Sequence, residues 1–207
     1  MFASSSTINT LRLQCATFMS VIPPTITATG APCQQVQTNS PPVGTHDVSA
    51  CGVFSGSDRG FAPCTAEACI RVLEYYGIDI EGKTTVVVGR SLVIGRPVAM
   101  LLLQRHATVT MCHTRTKNIS EICRQAEILV VAAGRQGVVD RSCFHREQVV
   151  LDVGIHVDAD GKITGDVDFS EAELLVSAIT PVPGGVGAVT TSVLAAHVVK
   201  AAETVGR

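Results

Sequence analysis

Charge is scarce in this sequence and cations are not in excess: Asp, Glu, Lys and Arg make up 16% of the residues and the formal net charge is -2. Without a basic stripe there is no electrostatic footprint for nucleic acid, so the expected chemistry concerns small molecules. Long apolar runs are missing as well. An uninterrupted run such as Val98–Leu103 falls far short of the roughly 20 residues that cross a bilayer, and a soluble protein with no membrane partner is expected. Zinc-like CxxC spacing is absent among the eight cysteines, which stand scattered at Cys15, Cys33, Cys51, Cys64, Cys69, Cys112, Cys123 and Cys143. That scatter suits free thiols in a reducing, cytoplasmic compartment and gives no metal site.

The first quarter of the chain lacks almost every ingredient of a packed core. Residues 1–57 hold two charged side chains, Arg12 and Asp47, and the proline pairs Pro23-Pro24 and Pro41-Pro42 interrupt any helix. No sustained alternation marks a strand there. This segment is expected to be poorly ordered; organelle targeting stays open, because no acid precedes Asp47, although a single arginine is thin support. The remaining length fits one domain of roughly 140 to 150 residues.

From Pro63 the texture becomes an alternation of strands and helices. Thr65 is placed to cap a helix with apolar positions Cys69, Val72, Leu73 and Tyr76, stopped by Gly77. Strands are expected at 84–88, 108–112, 128–132, 149–153 and 176–179, with helices at about 95–105, 118–125 and 188–203. Pro97 is tolerated in the first turn of its helix, and Asn118 with Glu121 is spaced like a capping box. This order predicts an α/β fold with a parallel sheet covered on both faces. Asp160-Gly161, between short apolar stretches, reads as the turn of a β-hairpin spanning 157–167, serving either oligomerisation or nothing beyond the surface.

The strand Thr84–Val88 runs into Gly89-Arg90-Ser91-Leu92-Val93-Ile94-Gly95 and then a helix. Glycines at both ends let backbone approach a ligand, and free amides at the positive helix end attract phosphate. GxSxxxG departs from the usual GxGxxG, so a bare tight turn stays open. Where an NAD enzyme places an acid after its second strand, this chain has Cys112-His113-Thr114-Arg115-Thr116-Lys117. Hydroxyls and cations there, with Arg90 beside them, suit the 2′-phosphate of NADP; an ordinary solvated turn is the alternative. Ala132–Gly137 and Asp152–Ile155 should reach the same crevice, with Asp152 a structural carboxylate, because nothing near it in sequence would raise its pKa. Thr180–Thr190 joins two prolines to three glycines ahead of a helix, a layout that can wrap a planar or anionic ligand.

Pro63-Cys64-Thr65, Gly89-Arg90-Ser91, Gly95-Arg96-Pro97, Cys112-His113-Thr114, Asp152–Ile155, Gly165-Asp166-Val167 and Thr180–Gly187, in this order, resemble the bifunctional methylenetetrahydrofolate dehydrogenase/methenyltetrahydrofolate cyclohydrolase family over about residues 60–203. The resemblance implies a Rossmann-like NADP-binding domain over 58–187, with Gly89, Arg90, Ser91, Thr114 and Ile155 as cofactor contacts. It implies that Pro183, Gly184, Gly185, Val186 and Gly187 line the side facing the reduced folate. Family members pass hydride from methylenetetrahydrofolate to the nicotinamide, hydrolyse the methenyl bridge to 10-formyltetrahydrofolate, and are typically homodimers.

The family's first domain has no counterpart in the sequence. Its Tyr-x-x-x-Lys motif is missing, since no lysine precedes Lys83 and the residues four after Tyr75 and Tyr76 are Asp79 and Ile80. The Asp-Val-Asp-Gly segment is missing too, Asp58 lying too close to Pro63 to replace it. No catalytic residue is therefore assigned, and an NADP-binding module without chemistry is the alternative to the folate enzyme. The helix at 188–203, with Val189, Val193, Leu194, Ala196 and Val199 around much of its circumference, calls for a partner surface, which the resemblance puts on that first domain. The expectation is a chain whose first domain is lost, leaving an apolar stripe prone to association.

Overall fold

The computed structural model describes residues 45–57, 60–157 and 159–205. In chain order the elements are α1 (Thr45–Ser55), α2 (Cys64–Tyr75), β1 (Thr84–Val88), α3 (Gly95–Leu103), β2 (Thr108–Cys112), α4 (Ile119–Arg124) and β3 (Ile128–Val131). After a 3-10 turn at Arg141–Cys143 come β4 (Val149–Asp152), β5 (His156–Val157), β6 (Ile163–Thr164), α5 (Phe169–Ala172), β7 (Ala178–Ile179) and α6 (Val186–Val205). Five strands form one parallel sheet in the order β2-β1-β3-β4-β7, while β5 and β6 pair antiparallel as a separate hairpin.

The side-chain period of two explains why the strands read as continuous apolar runs. Successive residues face opposite sides, so β1 sends Val87 to one core and Val86 and Val88 to the other. Strand β3 divides likewise, Ile128 and Val130 against Leu129 and Val131. The first core is closed by Ile70 and Leu73 of α2, Val98 and Leu102 of α3, and Val186, Val189 and Val193 of α6. The second is closed by Cys123 of α4, Cys143, Phe144 and Ala172 of α5. At the sheet edge, β2 buries only its last residue, Cys112, completely.

Several boundaries differ from expectation, each for a local reason. Helix α2 starts at Cys64, because the Pro63 carbonyl accepts the first helical N–H from Glu67 at 3.0 Å; Thr65 lies inside and does not cap it. Gly77 does stop this helix, at φ 64°. Asn118 adopts a left-handed φ of 54°, which turns its side chain away from the capping position, so no capping box forms with Glu121. The last strand shrinks to Ala178–Ile179, and the final helix begins at Val186, two residues before Ala188.

Two corrections are larger. Residues 1–44, with both proline pairs and Cys15 and Cys33, lie outside the described residues, but the end of the segment expected to lack structure forms α1. Tertiary contact holds it: Val53 is buried in the first core, and the Gln104 side-chain amide donates to the Val53 carbonyl. The apolar helix α6 also finds half of its partner in this chain, packing along α2 through Val189 and Val193. Leu194, Val198 and Val199 stay exposed.

The hairpin is fastened to the sheet by Asp152 at the end of β4. Its Oδ1 accepts the amides of Gly154 at 2.9 Å and Asp166 at 3.1 Å, and its Oδ2 accepts that of Val167 at 3.0 Å. Glycine at 165 is required for this approach, since a Cβ there would stand 1.9 Å from Asp152 Oδ2. Gly165→Ala is expected to destabilise the fold by about 1–3 kcal/mol. Gly187→Ala, where a Cβ meets nothing within 4 Å, should be neutral or stabilising by up to about 1 kcal/mol within the helix. Urea unfolding midpoints of the two variants check the contrast.

Candidate functional site: a crevice at the strand ends

The chain leaves β1 for β2 on one side and later returns to place β3 on the other. The connections therefore part beyond the carboxyl ends of β1 and β3, which is where open parallel sheets hold ligands. A crevice of about 450 Å³ lies there, lined from the β1 turn by Gly89, Arg90, Ser91 and Ile94 and from the β2 turn by His113 and Thr114. Ala132, Ala133 and Gly134 follow β3, and Val153, Gly154 and Ile155 follow β4.

The β1 turn is built by close packing as much as by ligand access. Gly89 has φ 130°, and a Cβ on it would lie 2.1 Å from the Ala132 carbonyl oxygen, so this residue lets two strand ends touch. Gly95 is equally confined, 2.4 Å from the Gly89 oxygen by the same measure. The expectation of free amides at the helix start needs correction. Ser91 Oγ accepts the N–H groups of Ile94 and Gly95 at 3.0 and 3.3 Å, and the Ser91 carbonyl accepts that of Arg96 at 3.0 Å. What the turn offers an anion is the exposed Arg90 guanidinium and the Ser91 hydroxyl proton, which its two acceptor bonds leave unused.

After β2, the turn is braced from within. The His113 amide donates to Thr116 Oγ1 at 2.9 Å and the Arg115 amide to His113 Nδ1 at 3.1 Å. His113 and Thr114 face the crevice, whereas Arg115, Thr116 and Lys117 are not among its lining residues. No carboxylate stands at the end of β2.

Asp166 closes the far wall, a residue that sequence reasoning did not place in the site. It is 1% exposed; its Oδ2 accepts the Gly134 amide at 2.9 Å and its Oδ1 meets His156 Nε2 at 2.6 Å. These bonds tie the loops after β3 and β4 together. The available signal was Gly165-Asp166-Val167 directly after the hairpin, an acid between a glycine and an apolar residue. Asp152 does act as a structural carboxylate, though the reasoning from sequence is overturned. Burial pushes its pKa up and the Asp166 charge adds to this, against the lowering by the amides of Val167, Gly154 and Asp166.

The Pro-Gly-Gly-Val-Gly stretch divides between two environments. Pro183 and Gly184 line a second, broader hollow of about 940 Å³, bounded by the hairpin and sharing Asp166 with the first. Gly185 and Val186 are buried; the Val186 side chain belongs to the first core, and a Cβ on Gly185 would stand 2.4 Å from the Pro181 oxygen. Gly187 is exposed at the start of α6. Among the described residues no group of three or more metal-ligating side chains is found, and no helix is long and apolar enough to cross a membrane.

Residues 63–205 match the family model for the tetrahydrofolate dehydrogenase/cyclohydrolase NAD(P)-binding domain. The chain is 55% identical over 157 residues to the bifunctional protein FolD of Carboxydothermus hydrogenoformans, covering 75% of this chain and 55% of that protein. To the FolD of Clostridioides difficile it is 50% identical over 154 residues, covering 74% and 54%. The bifunctional FolD crystal structure from Campylobacter jejuni superposes with a TM-score of 0.72 at 41% identity, over 76% of this chain and 58% of that one. The Trypanosoma brucei enzyme, solved with NADP cofactor and inhibitor, gives 0.71 at 37% identity, over 77% and 57%. The chain thus spans about half the length of the curated relatives it matches. Its parallel sheet, its crevice at the strand ends and these matches together place the chain in the tetrahydrofolate dehydrogenase/cyclohydrolase family, of which it carries the NAD(P)-binding domain.

Proposed function

We propose that this chain binds NADP in the crevice and is the cofactor-holding part of an enzyme that oxidises 5,10-methylenetetrahydrofolate and hydrolyses the methenyl product to 10-formyltetrahydrofolate. One observation carries the reading: Gly89, Arg90, Ser91, Thr114 and Ile155, from three separate strand ends, line the same crevice. The preference for NADP rests on charge. A carboxylate after β2 would repel a 2′-phosphate; here the turn offers the Thr114 hydroxyl, and Arg90 stands across from it as a planar donor fork.

Bound there, the cofactor supplies the hydride acceptor. Arg90 binds its anionic end, the Ser91 hydroxyl donates to a phosphate oxygen, and the apolar walls at Val88, Ala132, Val138 and Ile155 exclude water from a planar ring. The reduced folate is assigned to the surface of Pro183, Gly184, Gly185, Val186 and Gly187, where Val186 has only backbone to offer. The protein works in the cytoplasm as a homodimer, with the hairpin residues Val157 and Ile163 exposed for a contact between copies.

Arg90→Ala is expected to weaken NADP binding by about 1.5–3 kcal/mol, roughly tenfold to a hundredfold, with NAD little changed. Titration calorimetry with both cofactors checks it, and equal weakening of the two would refute the phosphate assignment.

Turnover tests whether this chain suffices for the chemistry by itself. With NADP and methylenetetrahydrofolate, this chain alone is expected to bind cofactor and form no NADPH, because it has no Tyr-x-x-x-Lys motif. Absorbance at the NADPH band is the readout. Measurable turnover would show that the missing lysine is not essential here.

A further inference from the structure

Away from the crevice, the pairing of α2 with α6 assembles a thiol, an imidazole and a carboxylate from opposite ends of the domain. Cys64 Sγ lies 3.6 Å from His197 Nδ1, and His197 Nε2 lies 2.8 Å from Glu67 Oε2. The Phe61 ring rests on the imidazole with centroids 4.7 Å apart. Arg71 holds the other Glu67 oxygen, with Nη2 at 3.1 Å and Nε at 3.3 Å from Oε1. Among the described residues, the titratable groups recorded against the thiol are Glu67 from its own helix, with Arg71 behind it, and His197 from α6.

Electrostatics fixes which nitrogen does what. Burial pushes the Glu67 carboxyl upward, but hydrogen bonds from His197 and Arg71 outweigh it and hold the group below its ordinary range. Held as a carboxylate, Glu67 can only accept, so Nε2 is the nitrogen that donates to it, and the tautomer with its single proton on Nε2 leaves the Nδ1 lone pair toward sulfur. The resting thiol stays protonated: burial raises Cys64, its backbone bond lowers it less, and the Glu67 charge raises it further. A protonated nucleophile, a base with a free lone pair and a carboxylate orienting that base make up a relay for nucleophilic attack on demand.

We propose that Cys64 is a covalent modification site for small uncharged electrophiles, with His197 Nδ1 as the base that takes the thiol proton and Glu67 as the positioning residue. In the step, a bond forms from Sγ to the electrophilic carbon while the bond to the leaving group breaks. The leaving group departs with its electron pair, the thiol proton moves to Nδ1, and Glu67 balances the imidazolium. Neither an oxidant nor a reductant is required. The Phe61 ring and the Glu67 charge disfavour anionic reagents.

Alkylation of the full chain by iodoacetamide, followed peptide by peptide by mass spectrometry from pH 6 to 9, tests this with exposed Cys51 as internal reference. An ordinary thiol below its pKa gains about tenfold in rate per pH unit, whereas a thiol whose proton passes to a neighbouring imidazole reacts at a rate that no longer follows that slope. Between pH 7 and 8, Cys51 is expected to climb about tenfold and Cys64 to stay flat. A Cys64 profile that climbs with Cys51 in the unsubstituted protein overturns the proposal. His197→Gln is expected to restore the tenfold slope at Cys64 alone, and a plateau surviving that change also overturns it. For the positioning role, Glu67→Gln, which keeps an oxygen acceptor for Nε2, should retain the plateau that Glu67→Ala loses; the same profile in both variants removes Glu67 from the relay.

Discussion

A carboxylate taken out of water and given three amide donors organises the working edge of this domain. Asp152 ends the fourth strand of the sheet, where its own amide donates to Thr180 Oγ1 at 2.9 Å, tying β4 to the segment after β7. Through Gly154, Asp166 and Val167 it also fixes where the hairpin leaves and rejoins the sheet. Burial opposes its charge, and the amides are what make that charge tolerable. Everything downstream inherits the geometry. Once the Asp166 backbone is anchored on Asp152, its side chain reaches Gly134 and His156 and so sets the distance between two walls of the crevice. The close approach is possible only because residue 165 has no side chain, so the local sequence Gly165-Asp166 carries both the anchor and the permission for it.

How legible this was depended on the range of the interaction involved. Strands β1 and β3 could be read from the sequence because a buried parallel strand needs apolar residues on both faces, and the β-branched run Thr84–Val88 is short enough to favour strand over helix. The stop at Gly77 was legible for a similar reason, a left-handed φ being almost free for glycine. Caps were not. Thr65 and Asn118 have suitable side chains, but a capping bond depends on one residue's backbone angles, and Pro63 and the left-handed Asn118 decide those angles instead. Helix α1 was invisible because its own composition gives little reason to form; Val53 and the Gln104 amide, contacts that periodicity cannot foresee, hold it.

The same distinction runs through the site. Gly89, Arg90 and Ser91 are one turn, and their grouping could be read directly; the segments carrying Thr114 and Ile155 follow other strands and were expected at the same crevice because ligands lie beyond the carboxyl ends of parallel strands, and the fold brings all five there. Asp166 escaped because its role is set by partners at 134, 152 and 156, none of which announces it. Serine at 91 shows a subtler failure. It was read as part of a ligand turn, yet its oxygen is spent on the amides of Ile94 and Gly95, which removes the donors that made the helix start attractive to an anion.

That internal use of donors shifts the electrostatic burden of the crevice. With the first amides of α3 satisfied by Ser91, the partial charge of the helix end is shielded by the protein's own dipoles, and the full charge of Arg90 becomes the dominant attraction for an anion. At the opposite wall, Asp166 holds its side chain buried with each oxygen already bonded, Oδ2 to the Gly134 amide and Oδ1 to His156. Between the two lie Val88, Ala132, Val138 and Ile155, which provide shape and little charge. The cationic side of the crevice is therefore the Arg90 turn, and its flat, weakly polar side is the apolar wall. The polarity of the crevice is thus a consequence of how the β1 turn satisfies its own backbone.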